Sequence, residues 1–208
     1  MKLYYSPGAC SLAPHIALEE SGLPYELVRV DLRSHKLTNG KDYYAINPKG
    51  YVPVLEFEGG ERLSEAAVVL QYIADRNPRT LAPAYGTMER YHLNEWLNFI
   101  ATEIHKQFGP LWHDETPEAT QATQRATLAK RFALIDKTLA KQPYLTGDAF
   151  TIADAYLFTV VSWAGVLKVD LAPFPALRQF QARVAARPKV HAAMKAEHLI
   201  KDPAPAAA

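Results

Sequence analysis

The sequence predicts a two-part protein: an α/β domain built on a mixed four-stranded sheet, followed by an all-helical domain. Three observations predict it. The first part of the chain mixes β-prone runs with helical ones, whereas no strand pattern occurs from Thr87 onward. The early elements come in the order strand, helix, strand, connection, hairpin, helix. A strand–helix–strand start followed by an antiparallel pair requires a mixed sheet with helices on its faces. Between the halves, "NPRTLAPAYG" (77–86) holds two prolines and a glycine without apolar periodicity, which reads as a linker. The expected division is 1–77, a linker over 78–87, a helical domain over 88–200 and a frayed tail over 201–208.

Each element has its own signal. "KLYYS" (2–6) is short, β-prone and stopped by Pro7-Gly8. Residues 11–21 set Leu12, Ile16 and Ala17 against Glu19 and Glu20, and Gly22 with Pro24 closes the helix. Pro14 fixes where it opens: proline lacks an N–H and clashes with a preceding turn, so the helix must start at about residues 10–12. "YELVRVDL" (25–32) alternates like a half-buried strand. A polar connection over 33–50 follows, with a short helix around Tyr43 to Ile46. "VPVLEF" (52–57), "EGG" and "ERLS" (61–64) form a hairpin, and 65–76 a buried helix. Beyond the linker, an apolar stripe at Leu93, Leu97, Ile100, Ile104 and Leu111 predicts one helix over 88–112, and further helices follow over 118–140, 152–168, 175–186 and 188–197. In "GDAFTIADAYLF", Thr151 stands three residues before Asp154, a pair that can bond reciprocally to free backbone amides at a helix start. Asp154 is read as structural.

Composition narrows the function classes. A hydrophobic share of 49% with a net charge of +1 suits a soluble globular protein and gives no electrostatic footprint for nucleic acid or an anionic membrane. No apolar run is long enough to span a bilayer or serve as a signal peptide, and a single cysteine allows no internal disulfide. The expected compartment is the cytoplasm.

The single cysteine, Cys10, falls at the N-terminal end of the first helix. Free amides point outward there and the macrodipole is positive, a term of about 0.3–1 kcal/mol and up to about 2 in a favourable site. That alone lowers a thiol from about 8.5 to about 7 or 8. The motif is Cys10-Ser11-Leu12-Ala13, not Cys-x-x-Cys. Any disulfide exchange therefore takes its second thiol from a small molecule or another chain. Pro53, just inside a strand, implies an edge, a bulge or a cis bond. A cis Val52-Pro53 bond leaves the Val52 backbone free to pair with an extended peptide ligand.

Together these pieces resemble the glutathione transferase superfamily, in particular its bacterial beta class. The stretches that carry the resemblance are "MKLYYSPGACSLAPHIAL", "NPKGYVPVL", "LSEAAVVLQYIAD", "WLNFIATEIHK" and "GDAFTIADAYLF", which span almost the whole chain in order. The resemblance implies a thioredoxin-like first domain and a homodimer. It implies glutathione as co-substrate, with neither a cofactor nor a metal. Cys10 matches the cysteine beside the glutathione sulfur. Val52 and Pro53 match the cis-proline step that pairs with the cysteinyl part. Glu65 and Ala66 match the helix start that takes the γ-glutamyl end; many relatives have serine where Ala66 stands, so here only the N–H serves. His35 or Lys36 falls where a basic residue meets the glycyl carboxylate. Asn98, Thr102 and His105, spaced four and three apart, share a helix face. His105 matches an active-site histidine, and Asn98 a position near the partner subunit's ligand. Tyr5, Phe108, Trp112, Tyr156 and Trp163 are candidates for an apolar electrophile pocket.

The first reading is an enzyme that directs the glutathione thiolate onto small hydrophobic electrophiles. A second keeps the fold but makes Cys10 the attacking sulfur, as in a glutaredoxin-like thiol transferase or a reductive dehalogenase. A third is a ligand-binding protein without turnover.

Overall fold

The computed structural model describes residues 1–76 and 81–201. Its first part runs β1 (Lys2–Tyr5), α1 (Leu12–Ser21), β2 (Glu26–Asp31), β3 (Lys36–Leu37), a 3-10 turn (Tyr43–Ala45), β4 (Val54–Glu56), β5 (Arg62–Ser64) and α2 (Ala66–Arg76). The sheet order is β3-β2-β1-β4-β5. β1 pairs parallel with β2, Leu3 opposite Leu27, and antiparallel with β4, Leu3 opposite Leu55. The mixed sheet expected from the element order is present, with one addition. β3 is a two-residue edge strand, Val30 opposite Leu37, inside the polar connection and too short to show a period.

Alternation along β1 divides the packing, as successive side chains leave opposite faces of a strand. Leu3 and Tyr5 join the main core with α1 and α2, while Tyr4 joins a smaller cluster with Val30, Tyr43, Val52 and Val54.

The second part is α3 (Met88–Phe99), a π-helix (Ile100–His105), α4 (Lys106–Phe108), a 3-10 turn (Gly109–Trp112), α5 (Glu118–Leu139), α6 (Ile152–Val166), α7 (Pro175–Ala185) and α8 (Pro188–Ala196). The later helices end within two residues of expectation. The span 88–112 differs, because the apolar stripe passes through a π-helix rather than one regular helix. Widening the turn keeps Ile100, Ile104 and Phe108 all fully buried. Residues 78–80 of the expected linker and 202–208 of the expected tail lie outside the described residues. Among the described residues, no helix is long and apolar enough to cross a membrane.

α6 is the central helix. It touches α1 and α2 of the first part and α3 and α7 of its own. Its start is fixed by Asp154, which is fully buried. One carboxylate oxygen accepts the Leu145 N–H at 2.8 Å; the other accepts the Thr151 N–H at 2.8 Å and the Thr151 hydroxyl at 2.9 Å. Burial pushes this carboxyl up to about 6 while those hydrogen bonds pull it down. Asp154 therefore ties the 145–151 loop to the helix as well as capping it.

Asp154→Ala should destabilise the fold by about 2 kcal/mol or more, the top of the range for a lost N-cap, because two buried amides lose their acceptor. The urea midpoint measures this. A midpoint unchanged from wild type would show the cap to be dispensable.

Candidate active site

β1 and β4 are neighbours in opposite directions, so the turn leaving β1 meets the turn entering β4. Cys10 lies in the first turn, just ahead of α1, and Val52 in the second. The Cys10 thiol donates to the Val52 carbonyl at 3.1 Å, and Val52-Pro53 is a cis bond. Ser11 closes the first turn. Its hydroxyl accepts from the Ser6 N–H at 3.1 Å and donates to the Ser6 carbonyl at 3.3 Å.

The thiol is not depressed as the helix start alone predicts. Burial pushes it up to about 12, and the negative charge of Glu65 adds to the rise. The amides of Cys10 and Ser11 and the charge on Lys106 oppose this without reversing it. Cys10 is thus a protonated donor at neutral pH.

Glu65 stands directly before α2 with φ 72°, a left-handed conformation that a non-glycine residue adopts at a cost of about 1–3 kcal/mol. Its exposed carboxylate pairs with Lys49 at 2.7 Å, and its charge acts on Cys10, His105 and Tyr156 alike. Ala66, the first residue of α2, is buried. His35 also has positive φ, 51°, and its ring lies against Tyr44 with centroids 4.6 Å apart. Gly50 sits beneath it; a Cβ there would come within 3.1 Å of the His35 ring and 2.8 Å of Tyr44, so the glycine is required. Lys36 is exposed on the edge strand.

The helical part contributes the remaining candidates. His105 ends the π-helix, and its Nδ1 is 2.8 Å from the Tyr156 hydroxyl. Burial, and then the adjacent Lys106 charge, push His105 down to about 4, while burial pushes Tyr156 up. At neutral pH, His105 is therefore uncharged and Tyr156 keeps its proton. Asn98 and Thr102 are exposed, and each bonds back to its own helix at 3.0 Å, Asn98 Nδ2 to the Asn94 carbonyl and Thr102 Oγ1 to the Asn98 carbonyl.

The aromatic candidates separate. Phe108 has no exposed surface and packs between Trp163 and Phe132, so it is core rather than pocket lining. Tyr5 and Tyr156 are almost closed off, and Trp163 is 7% exposed with its Nε1 donating to the Gly8 carbonyl at 2.7 Å. Aromatics at helical spacing serve core packing first, and Phe108, Tyr156 and Trp163 follow that rule, while Tyr5 points into the core from β1. Trp112 is 48% exposed and lies edge-on to Trp163 at 5.8 Å.

Sequence reasoning missed four participants. Lys106 could have been found beside His105. Ser11, His15 and Glu197 had no signal, since their contacts depend on the folded turn or join residues far apart in the chain. Fully buried His15 has Nδ1 2.8 Å from Glu197 Oε1 and Nε2 3.0 Å from the Tyr25 hydroxyl. Among the described residues, no group of three His, Cys, Asp or Glu side chains could hold a metal ion.

A thiol bonded to the Val52 carbonyl ahead of a cis-proline, with Trp163 of the helical part touching both the cysteine turn and His105, makes a candidate thiol site on a thioredoxin-like fold. Comparison with known proteins gives the family. The glutathione S-transferase N-terminal domain matches residues 8–76, and the glutathione S-transferase C-terminal domain residues 99–188. The chain is 48% identical to glutathione S-transferase GstA of Escherichia coli O157:H7, over 96% of this chain and all of that one. A sphingomonad glutathione S-transferase, solved in complex with glutathione, superposes with TM-score 0.92 at 44% identity, covering 96% of this chain and 100% of that one. A bacterial beta class glutathione S-transferase from Sphingomonas chungbukensis gives TM-score 0.92 at 41% identity with the same coverage. The chain belongs to the glutathione S-transferase family, with the bacterial beta class as its neighbours, and is an enzyme of that family.

A histidine depressed to about 4 binds its proton later than it does in the unfolded chain, at about 6.5. The unfolded state then holds more protons between those values, so this group removes stability as pH falls from about 6.5 to about 4. In an NMR titration, the His105 ring signals should stay in the neutral form down to about pH 4.5. A midpoint near 6.5 would show the ring to be solvated.

Proposed function

We propose that the protein binds glutathione between its two parts and directs the glutathione thiolate onto a small hydrophobic electrophile. The observation that carries this is the state of Cys10. A half-buried thiol that already donates a hydrogen bond to the Val52 carbonyl is suited to donating one to a co-substrate's thiolate and poorly suited to attacking as a thiolate itself.

The remaining assignments follow from chemistry. The Val52 backbone, ahead of Pro53, offers an amide and a carbonyl to the cysteinyl residue of glutathione. The ligand displaces the Cys10 thiol from the Val52 carbonyl and leaves it free to turn to the incoming sulfur. Glu65 suits the γ-glutamyl ammonium, and the free amides at Ala66 suit its carboxylate. The glycyl carboxylate goes to His35 or Lys36; whichever alanine variant raises the KM for glutathione identifies the contact. With Tyr156 donating to Nδ1, neutral His105 carries its proton on Nε2 and can donate it to the sulfur. The glutathione thiol gives up its proton to bulk water, the thiolate bonds to the electrophilic carbon, and the leaving group departs with its electron pair. The exposed face of Trp112 is the apolar wall for the electrophile.

The functional unit is a homodimer. Large exposed apolar side chains on the loop before β4 (Tyr51), on α2 (Val68) and on α3 (Met88, Tyr91) support a partner surface. Exposed Asn98 and Thr102 then face the cleft or the partner's ligand. Light scattering should give twice the monomer mass; a monomer at micromolar concentration removes any role for Asn98 across the interface.

Turnover with glutathione on an aryl halide, a hydroxyethyl disulfide and a peroxide tests the main reading. His105→Ala should lower kcat about ten- to a hundredfold with little change in glutathione KM, the loss of one hydrogen bond to a charged sulfur at about 1.5–3 kcal/mol. Cys10→Ala should keep part of the aryl halide activity. If that activity vanishes with Cys10 while disulfide turnover dominates in wild type, Cys10 is the attacking sulfur and the thiol-transfer reading replaces this one. Binding of glutathione without any turnover would leave a ligand-binding protein.

A further inference from the structure

We propose that Trp163 and Glu197, both from the helical part, are positioning residues that grip the peptide groups on either side of Gly8 and hold the half-buried Cys10 thiol at the Val52 carbonyl. The Gly8 N–H donates to Glu197 Oε2 at 2.9 Å, and the Gly8 carbonyl accepts from Trp163 Nε1 at 2.7 Å. Gly8 has φ 70°, and a Cβ there would stand 3.3 Å from Leu199, so the chain just past α8 presses directly on the turn. Between Gly8 and Cys10 there is one residue, and the turn is tied at both ends: Ala9 N–H to the Ser6 carbonyl at 3.0 Å and Leu12 N–H to the Ala9 carbonyl at 2.9 Å. A displacement at Gly8 therefore reaches the sulfur.

The grip itself is rigid. Glu197 is 1% exposed, and its second oxygen meets His15 of α1 at 2.8 Å. The Trp163 ring stands edge-on to His105 with centroids 5.0 Å apart, so one indole touches both the cysteine turn and the histidine. Releasing Gly8 frees the turn, admits water to the sulfur and lets the thiol ionise more readily. The other groups acting on Cys10 stay in place: Glu65 ahead of α2, Lys106 after the π-helix, and the amides of Cys10 and Ser11. Tyr156 of α6 also feels the Cys10 charge and is left untouched.

The proposal takes from the functional reading only that Cys10 belongs to the site, and its test uses no glutathione. A protein that fails to conjugate can still satisfy or refute it. Cys10 is the only cysteine, so iodoacetamide uptake reports it alone. Rates are measured against pH for wild type, Trp163→Phe, which keeps an aromatic ring but loses the N–H and changes no charge, and Glu197→Gln. Circular dichroism and gel filtration establish that each variant is folded. Trp163→Phe should move the midpoint of the profile down by about one pH unit or more, which raises the rate at pH 8 about tenfold. Glu197→Gln should shift it the same way. Folded Trp163→Phe with a profile within twofold of wild type overturns the proposal, whatever its melting temperature. If Trp163→Phe does not fold, Glu197→Gln decides by the same criterion, and a labelling rate that falls in either folded variant also overturns it.

Discussion

Everything at the site hangs from a helix with almost no solvent face. α1 is buried from Leu12 through Leu18, with α2 on one side and α6 and α8 on the other. A helix so enclosed cannot show the one-sided pattern of a surface helix, and its position is set by both parts of the protein. The one polar side chain inside it, His15, has to be satisfied there, and Glu197 and the Tyr25 hydroxyl do so. At its far end, Arg187 makes a two-pronged bond to Glu20 at 2.7 and 2.9 Å, and Lys189 reaches Glu19. The start of α1 is where Cys10 sits, so the thiol inherits this rigidity.

That burial also decides the electrostatics. The helix dipole contributes about 0.3–1 kcal/mol in favour of a thiolate and at most about 2. The effective cost of placing an uncompensated charge inside a protein is several kcal/mol. The larger effect wins, and the thiol stays protonated although two amides point toward it. His105 follows the same rule with the opposite sign, since for a base burial favours the neutral form. Two groups that could both have been charged are both neutral, and each is a hydrogen-bond donor. That neutrality is what the proposed reading uses, a site that receives a negative charge rather than carrying one.

The parts of this arrangement that were legible in the sequence are those encoded locally. Pro14 located the helix start, Pro53 included the cis bond among its three options, and Thr151 with Asp154 marked the start of α6. The order of strand and helix signals specified a mixed sheet. What stayed hidden was encoded at a distance or too briefly. β3 has two residues and no period. The π-helix leaves the apolar spacing looking helical. The bond from Glu197 to Gly8 joins residues at opposite ends of the chain, and nothing near either one announces the other. The aromatic residues misled for a related reason: spacing shows that Phe108, Tyr156 and Trp163 lie on buried faces, but not whether a cleft opens beside them.

Neither part of the chain holds the candidate site alone. Cys10, Val52 and Glu65 come from connections of the first part, whereas His105, Tyr156 and Trp163 come from the helices. Tyr156 and Trp163 are seven residues apart on α6 and so lie on one face. Their joint placement, one at the His105 nitrogen and the other at the Gly8 carbonyl, depends on the rotational setting of that helix. Asp154 fixes this setting, two residues ahead of Tyr156, by holding the first turn to Thr151 and to the 145–151 loop. The cap is structural in its bonds but functional in its consequence, because a small rotation of α6 would move the histidine's partner and the cysteine's clamp together.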